Sequence, residues 1–292
     1  SMTLERRSTP YPHWQFTNPK GHDQLRIVPE RGGLITGWRC DGREMLYFDQ
    51  QRFLDPSLSV RGGIPVLFPI CGGLPGNLLP LEGQRYCLPQ HGFARDQAWD
   101  LTELEDGSGV RLRLGDDDAT RRVFPFQFQL SLDVRLPASE MDLRLSVRNR
   151  GPGVMPFSLG LHPYFNVSSL MAVQFGGLPD RCLNHHTMAM EPSRDQLLRL
   201  ADGVDLLVRP AEESPPVRAI RLVDLHDNLA LELQLSHPLD LVVIWTDPPR
   251  PMVCLEPWTA PRNALISGDR RLVVEPGDTS QLRCRYVVTS HH

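Results

Sequence analysis

Three stretches alternate apolar and polar residues with period two: Val110-Arg-Leu-Arg-Leu114, Phe126 to Leu136, and Met141 to Arg148. Only an extended chain points successive side chains to opposite faces. These are therefore antiparallel strands with one buried and one wet face. The link Pro137-Ala-Ser-Glu140 between the second and third suits a hairpin connection. Shorter runs predict strands at Leu25–Pro29, Leu34–Trp38, Val173–Phe175, Ala219–Leu225, Leu229–Leu235, Leu241–Thr246, Arg271–Val274 and Gln281–Thr289, with an Asp41-Gly42 hairpin signal inside Cys40–Tyr47. Helical periodicity is confined to short pieces near Thr120–Val123 and Ser193–Leu200. Residues 1–24 read as an irregular lead-in and Phe53–Ser59 as loop.

The segment Val60–Gly73 is apolar but broken by Gly62, Gly63, Gly72, Gly73, Pro65 and Pro69. Those breakers exclude a helix and disfavour a regular central strand. Its backbone must approach something closely, or turn sharply, while displaying Arg61. Strands run from end to end without a linker or a composition break, which predicts one continuous all-β domain over residues 25–290. An open sheet of about fifteen strands would curl or split, so the expected architecture is a large antiparallel β-sandwich of two packed sheets. No fixed-period repeat supports a propeller.

Composition narrows the function classes. The chain has 292 residues, 40% hydrophobic and 23% charged, as in an ordinary globular protein with a sizeable core. A net charge of −4 without a basic block argues against nucleic acid as a partner. The six cysteines are scattered with no CxxC spacing, so a zinc site is not expected and the thiols read as buried and reduced. No apolar run is long enough to span a bilayer, so no membrane partner is expected. Ser1 before Met2 reads as a tag scar, no signal peptide is recognised, and the expected location is cytoplasmic. The expected assembly is a monomer or weak homodimer.

The chemistry concentrates in Met252–Leu265, MVCLEPWTAPRNAL. A short apolar run delivers Glu256 onto a turn expected from Pro257, Trp258 and Pro261. A carboxylate held there is rigid and partly desolvated, which suits a general base. A solvent-facing edge glutamate is the bland alternative. His162, in Gly160-Leu-His-Pro-Tyr-Phe165, is pushed toward extended geometry by Pro163. His91 precedes Gly92, which would let the chain turn and expose the imidazole. A core histidine bonded to backbone is the alternative for both. Arg61 and Arg95 stand in stiff segments from which a guanidinium can clamp hydroxyls or anions, or form a structural ion pair. Asp205, before an apolar pair, reads as a turn residue. His185 and His186 form a bare pair in a polar loop, with no third metal ligand indicated. No nucleophile elbow, P-loop or GxGxxG is present. The remaining set suits metal-free proton transfer on a polyol or sugar.

Five motifs in order, RGGIPVLFP (61–69), QHGFAR (90–95), LHPYF (161–165), GVDLL (203–207) and CLEPWTAPRNAL (254–265), resemble the aldose 1-epimerase, or mutarotase, family. The closer likeness is to its bacterial branch related to hexose-6-phosphate mutarotases. The resemblance implies a β-sandwich of the galactose mutarotase type (supersandwich) and anomer interconversion of a hexose or hexose 6-phosphate. It implies Glu256 as general base, His162 as general acid, and His91, Arg61 and Asp205 as substrate contacts, with Arg61 and Arg95 as candidates for a phosphate. It implies no metal and no organic cofactor. The chemistry asks for an ionised carboxylate and a charged imidazole together near neutral pH, with only the histidine needing a modest upward shift. A non-catalytic carbohydrate-binding sandwich and a glycoside hydrolase using Glu256 with Asp205 are the alternatives.

Overall fold

A computed structural model of the chain describes residues 3–209 and 219–291. The three alternating stretches lie in one eight-stranded antiparallel sheet. Its order is Val173–Gly176, Ala219–Asp224, Leu229–Leu235, Thr279–Ser290, Glu140–Asn149, Phe128–Arg135, Gly109–Gly115, Asp100–Glu103. Along Phe128–Arg135 the burial alternates strictly, with Phe128, Leu130, Leu132 and Val134 fully enclosed.

A second eight-stranded sheet runs Ala189–Pro192, Arg181–Asn184, Asp205–Val208, Leu241–Trp245, Met252–Trp258, Gly160–Leu161, Val66–Leu67. Tyr164–Asn166 pairs with the far end of Met252–Trp258. The core lies between the two sheets. Val242, Ile244, Val253 and Leu255 of the second sheet share one buried cluster with the inward residues of the first. Each such side chain contributes roughly 1.5–3 kcal/mol of burial. The Tyr286 hydroxyl crosses this layer and donates to the Leu255 carbonyl at 2.6 Å, next to Glu256. A five-stranded antiparallel sheet built from residues 4–44 and two short ribbons, Met155–Phe157 with Leu272–Val274 and Leu78–Leu81 with Gln84–Cys87, complete the sheets. The antiparallel sandwich is as expected. No helix among the described residues is long and apolar enough to cross a membrane.

Local expectations fared differently. The Asp41-Gly42 turn closes the hairpin of Leu34–Cys40 with Arg43–Glu44, and helices form at Asp118–Val123 and Ser193–Leu197. The lead-in is not irregular: Leu4–Arg7 and His13–Thr17 are strands of the five-stranded sheet. Leu4–Arg7 is the edge strand and His13–Thr17 lies next to it, and of the two only His13 and Phe16 are buried, so little hydrophobic pattern was required of them. The strands also outnumber the expected fifteen, with twenty-five among the described residues. Many span two to four residues, too short for a period to show.

The Gly-rich segment approaches other backbone closely. A Cβ on Gly63 (φ +67°) would lie 2.3 Å from the Ile35 carbonyl oxygen. One on Gly72 (φ +76°) would strike the Arg262 side chain at 2.6 Å.

Candidate active site

Met252–Trp258 stays extended through Pro257, so Glu256 sits within a strand rather than on the expected turn. Period two sends Val253 and Leu255 into the core and turns Cys254, Glu256 and Trp258 to the opposite face. Val243 pairs with Glu256, and Trp245 pairs with both Cys254 and Asp205, so these side chains share that face. Above it lies a cavity of about 400 Å³. Arg61, His91, Arg95, His162, Asp205 and Glu256 all line it, so the structure brings the six candidates together.

His162 Nε2 stands 3.6 Å from Glu256 Oε2. The imidazole stacks on Tyr164 (centroids 4.7 Å apart, 16° between planes) and meets Trp245 edge-on. Glu256 is 1% exposed, and its Oε1 accepts a hydrogen bond from Trp258 Nε1 at 3.1 Å. Burial drives the Glu256 carboxyl well above its usual range, more than the Trp258 hydrogen bond pulls it down. Burial also pushes the His162 imidazolium down, to about 3. The expected upward shift of the histidine is therefore reversed. In the free cavity both groups favour their neutral forms, a carboxylic acid beside an imidazole.

His91 is not exposed by the turn at Gly92. It takes the left-handed conformation itself (φ 66°) and is buried. The Gly72 N–H donates to His91 Nδ1 at 2.9 Å, and the His91 N–H donates back to the Gly72 carbonyl. Burial pushes this imidazole down to about 2, so it is neutral. With Nδ1 accepting, the ring proton is on Nε2, which makes His91 a fixed donor.

Asp205 opens the strand Asp205–Val208 instead of lying in a turn. Its carboxylate faces His185 Nδ1 at 2.7 Å and accepts from Arg262 Nη2 at 3.2 Å. Burial alone would raise this carboxyl, but the His185 hydrogen bond and the His185 and Arg262 charges outweigh it, so Asp205 is held below the usual carboxylate range. Arg61 Nη1 donates to Ser59 Oγ and the Val60 carbonyl, and Arg95 Nη2 to the Gln90 carbonyl. Neither arginine has a carboxylate within ion-pair distance among the described residues.

Sequence reasoning missed Arg262 and His185. Arg262 lies within the motif that carries Glu256, where a guanidinium six residues on was the available signal. His185 was set aside because its loop is polar; nothing local shows that its ring is enclosed against Asp205.

A sequence model of a family described as aldose 1-epimerase matches residues 15–287. A Cenchrus ciliaris protein named "Putative glucose-6-phosphate 1-epimerase" is 32% identical over 161 residues, covering 50% of this chain and 45% of that protein. The chain spans about half the length of the curated relatives it matches. The crystal structure of the Slr1438 protein from Synechocystis sp. PCC 6803 is 35% identical, with a TM-score of 0.90 over 100% of this chain and 99% of that one. A galactose mutarotase related enzyme from Lactobacillus acidophilus superposes with a TM-score of 0.75 at 22% identity, over 94% of this chain and 97% of that one; this likeness speaks for the fold alone.

Proposed function

We propose that this chain, which belongs to the aldose 1-epimerase family, interconverts the α and β anomers of a hexose, preferably as its 6-phosphate. The observation that carries the reading is the His162–Glu256 pair, 3.6 Å apart on the cavity floor. Anomer exchange needs one proton removed and one supplied, with no net change. Glu256 as carboxylate takes the proton of the anomeric hydroxyl while His162 as imidazolium protonates the ring oxygen. The C1–O5 bond breaks and the aldehyde forms. Rotation about C1–C2 presents the other carbonyl face, and the ring closes with the proton flow reversed. The charged and neutral forms of the pair carry the same proton count. Hydrogen bonds from bound sugar hydroxyls favour the charged form that burial alone disfavours. Each transfer group contributes on the order of 10²–10⁴-fold.

The other residues orient the ring. His91 Nε2–H donates to a sugar oxygen. Asp205, kept ionised, accepts from hydroxyls, and Arg262 extends alongside it. Arg61 and Arg95 bond only neutral oxygens in the protein, which leaves two guanidiniums for an anionic substituent. This supports the 6-phosphate. A glycoside hydrolase using Glu256 with Asp205 would leave His162, 3.6 Å from Glu256, without a role.

The test is NMR exchange spectroscopy of anomer interconversion with glucose 6-phosphate, glucose and galactose, using the wild type and His162→Asn. Enzyme-dependent exchange that His162→Asn loses supports the reading. Wild-type exchange by the variant removes His162 from the mechanism. A folded protein that accelerates none of the three would point instead to a non-catalytic sugar-binding sandwich.

A further inference from the structure

We propose that His162, Cys254 and Glu256 form a site for a thiophilic divalent cation such as Zn²⁺, whose binding shuts the cavity to sugar. Cys254 and Glu256 are two residues apart on one strand and so share a face, and His162 is carried on the neighbouring Gly160–Asn166 stretch. One imidazole nitrogen, one sulfur and one carboxylate oxygen lie within 4.8 Å of one another. The His162–Glu256 separation of 3.6 Å falls within the roughly 3.3–3.8 Å edges of a tetrahedron with bonds of about 2.0–2.3 Å. The Cys254 sulfur is buried among Tyr164, Trp245 and Met252, and its one sulfur partner is Met252 Sδ at 3.9 Å, so no strong hydrogen bond has to be broken for it to ligate.

The surroundings fit such an ion. Glu256 Oε1 is held by Trp258 Nε1, which aims the other oxygen and steadies the carboxylate as a ligand. Charge is the second argument. A divalent cation with one thiolate and one carboxylate is neutral overall, and a buried site tolerates neutrality far better than an unpaired ion. Binding releases to solvent the thiol proton and any proton on the carboxyl or on the ligating imidazole nitrogen, so the charges balance. The cavity leaves room for water at a fourth position. Spacing rules do not find this set, because His162 comes from the short link between Gly160–Leu161 and Tyr164–Asn166, far away in sequence.

That occupation blocks sugar rests on the function proposed above; the cation site itself does not. The first measurement is therefore spectroscopic. Co²⁺ is titrated into the apo protein, and thiolate-to-cobalt absorption in the near ultraviolet is followed. One equivalent should develop the band, Zn²⁺ should displace it, and Cys254→Ser should abolish it. Cys87→Ser, at the exposed thiol, should retain it. Glu256→Gln keeps the thiol and should weaken Co²⁺ binding by at least the about 10–100-fold typical of losing an outer support. This guards against misfolding of the Cys254 variant. Zn²⁺ inhibition of anomer exchange is then measured for the wild type, Cys254→Ser and Cys87→Ser, each against its own metal-free rate. Chelator-reversible inhibition, at least about tenfold weaker in Cys254→Ser, is expected. A band that survives Cys254→Ser, or no band at all, overturns the site even if the protein catalyses anomer exchange. A Cys254-dependent band in a protein without that activity sustains the site and removes the mutarotase reading.

Discussion

Glu256→Gln should make the protein inactive and more stable, with a stability gain that grows with pH. The amide has nearly the same shape and keeps an oxygen for Trp258 Nε1, now at 3.1 Å from Oε1. It cannot take a proton from an anomeric hydroxyl, so the rate should fall by about 10²–10⁴, or roughly 3–5 kcal/mol of transition-state stabilisation. The stability effect comes from burial, which raises the Glu256 carboxyl well above the usual carboxylate range. A group with a raised folded pKa contributes fully below its unfolded value and loses that contribution as pH rises toward the folded one. Between the two values the folded state holds one proton more than the unfolded, so wild-type stability falls by about 1.4 kcal/mol per pH unit relative to the variant. For a chain of this length that is about 2 °C of melting temperature per pH unit. Thermal unfolding of both proteins, followed by circular dichroism from pH 4.5 upward, measures the difference directly. A melting-temperature difference that stays flat or shrinks with pH would refute a buried, protonated Glu256. Unchanged anomer exchange would refute its role as base.

Arg61→Met and Arg95→Met should each raise KM for glucose 6-phosphate by about 10–100-fold, the worth of a charge-assisted hydrogen bond, and change KM for free glucose far less. Equal effects on both sugars would remove the phosphate role. His185→Phe should raise KM and leave the wild-type fold, because the ring reaches substrate only by orienting Asp205 at 2.7 Å. His185→Asn should recover part of the loss, and steady-state kinetics of the pair separates positioning from packing. Gly72→Ala should cost more than about 1 kcal/mol, since its left-handed backbone and the Arg262 side chain 2.6 Å from a Cβ both resist the methyl. Chemical denaturation measures the cost, and a neutral result would mean that Arg262 moves freely.

The sandwich was legible because its long strands bury one face only. A strand such as Phe128–Arg135 repeats the same choice eight times, so period two is visible without knowing the partner. The strands around the site were harder to read. Gly160–Leu161, Val66–Leu67 and Tyr164–Asn166 are two or three residues long and are held by their neighbours. Leu4–Arg7 and His13–Thr17 were not read as strands for the related reason that the two outermost strands of the five-stranded sheet bury only His13 and Phe16.

The candidate site divides along the same line. Glu256, His162, His91, Arg61 and Arg95 were found because unusual side chains stand in stiff, Gly- and Pro-rich surroundings, whereas Asp205 read as a turn residue and entered only through the family resemblance. The sequence by itself determined the all-β class, the core faces of the long strands and the residue types available for proton transfer. Only the tertiary structure decided that these residues meet over one sheet face, that His91 is buried against Gly72, and that His185 and Arg262 hold Asp205 ionised. It alone showed that burial shifts His162 and Glu256 away from the charged forms that the sequence led one to expect. Periodicity and turn chemistry are local properties of the chain. Desolvation and the distance between charges depend on what the rest of the fold places around a group, and those terms set its protonation.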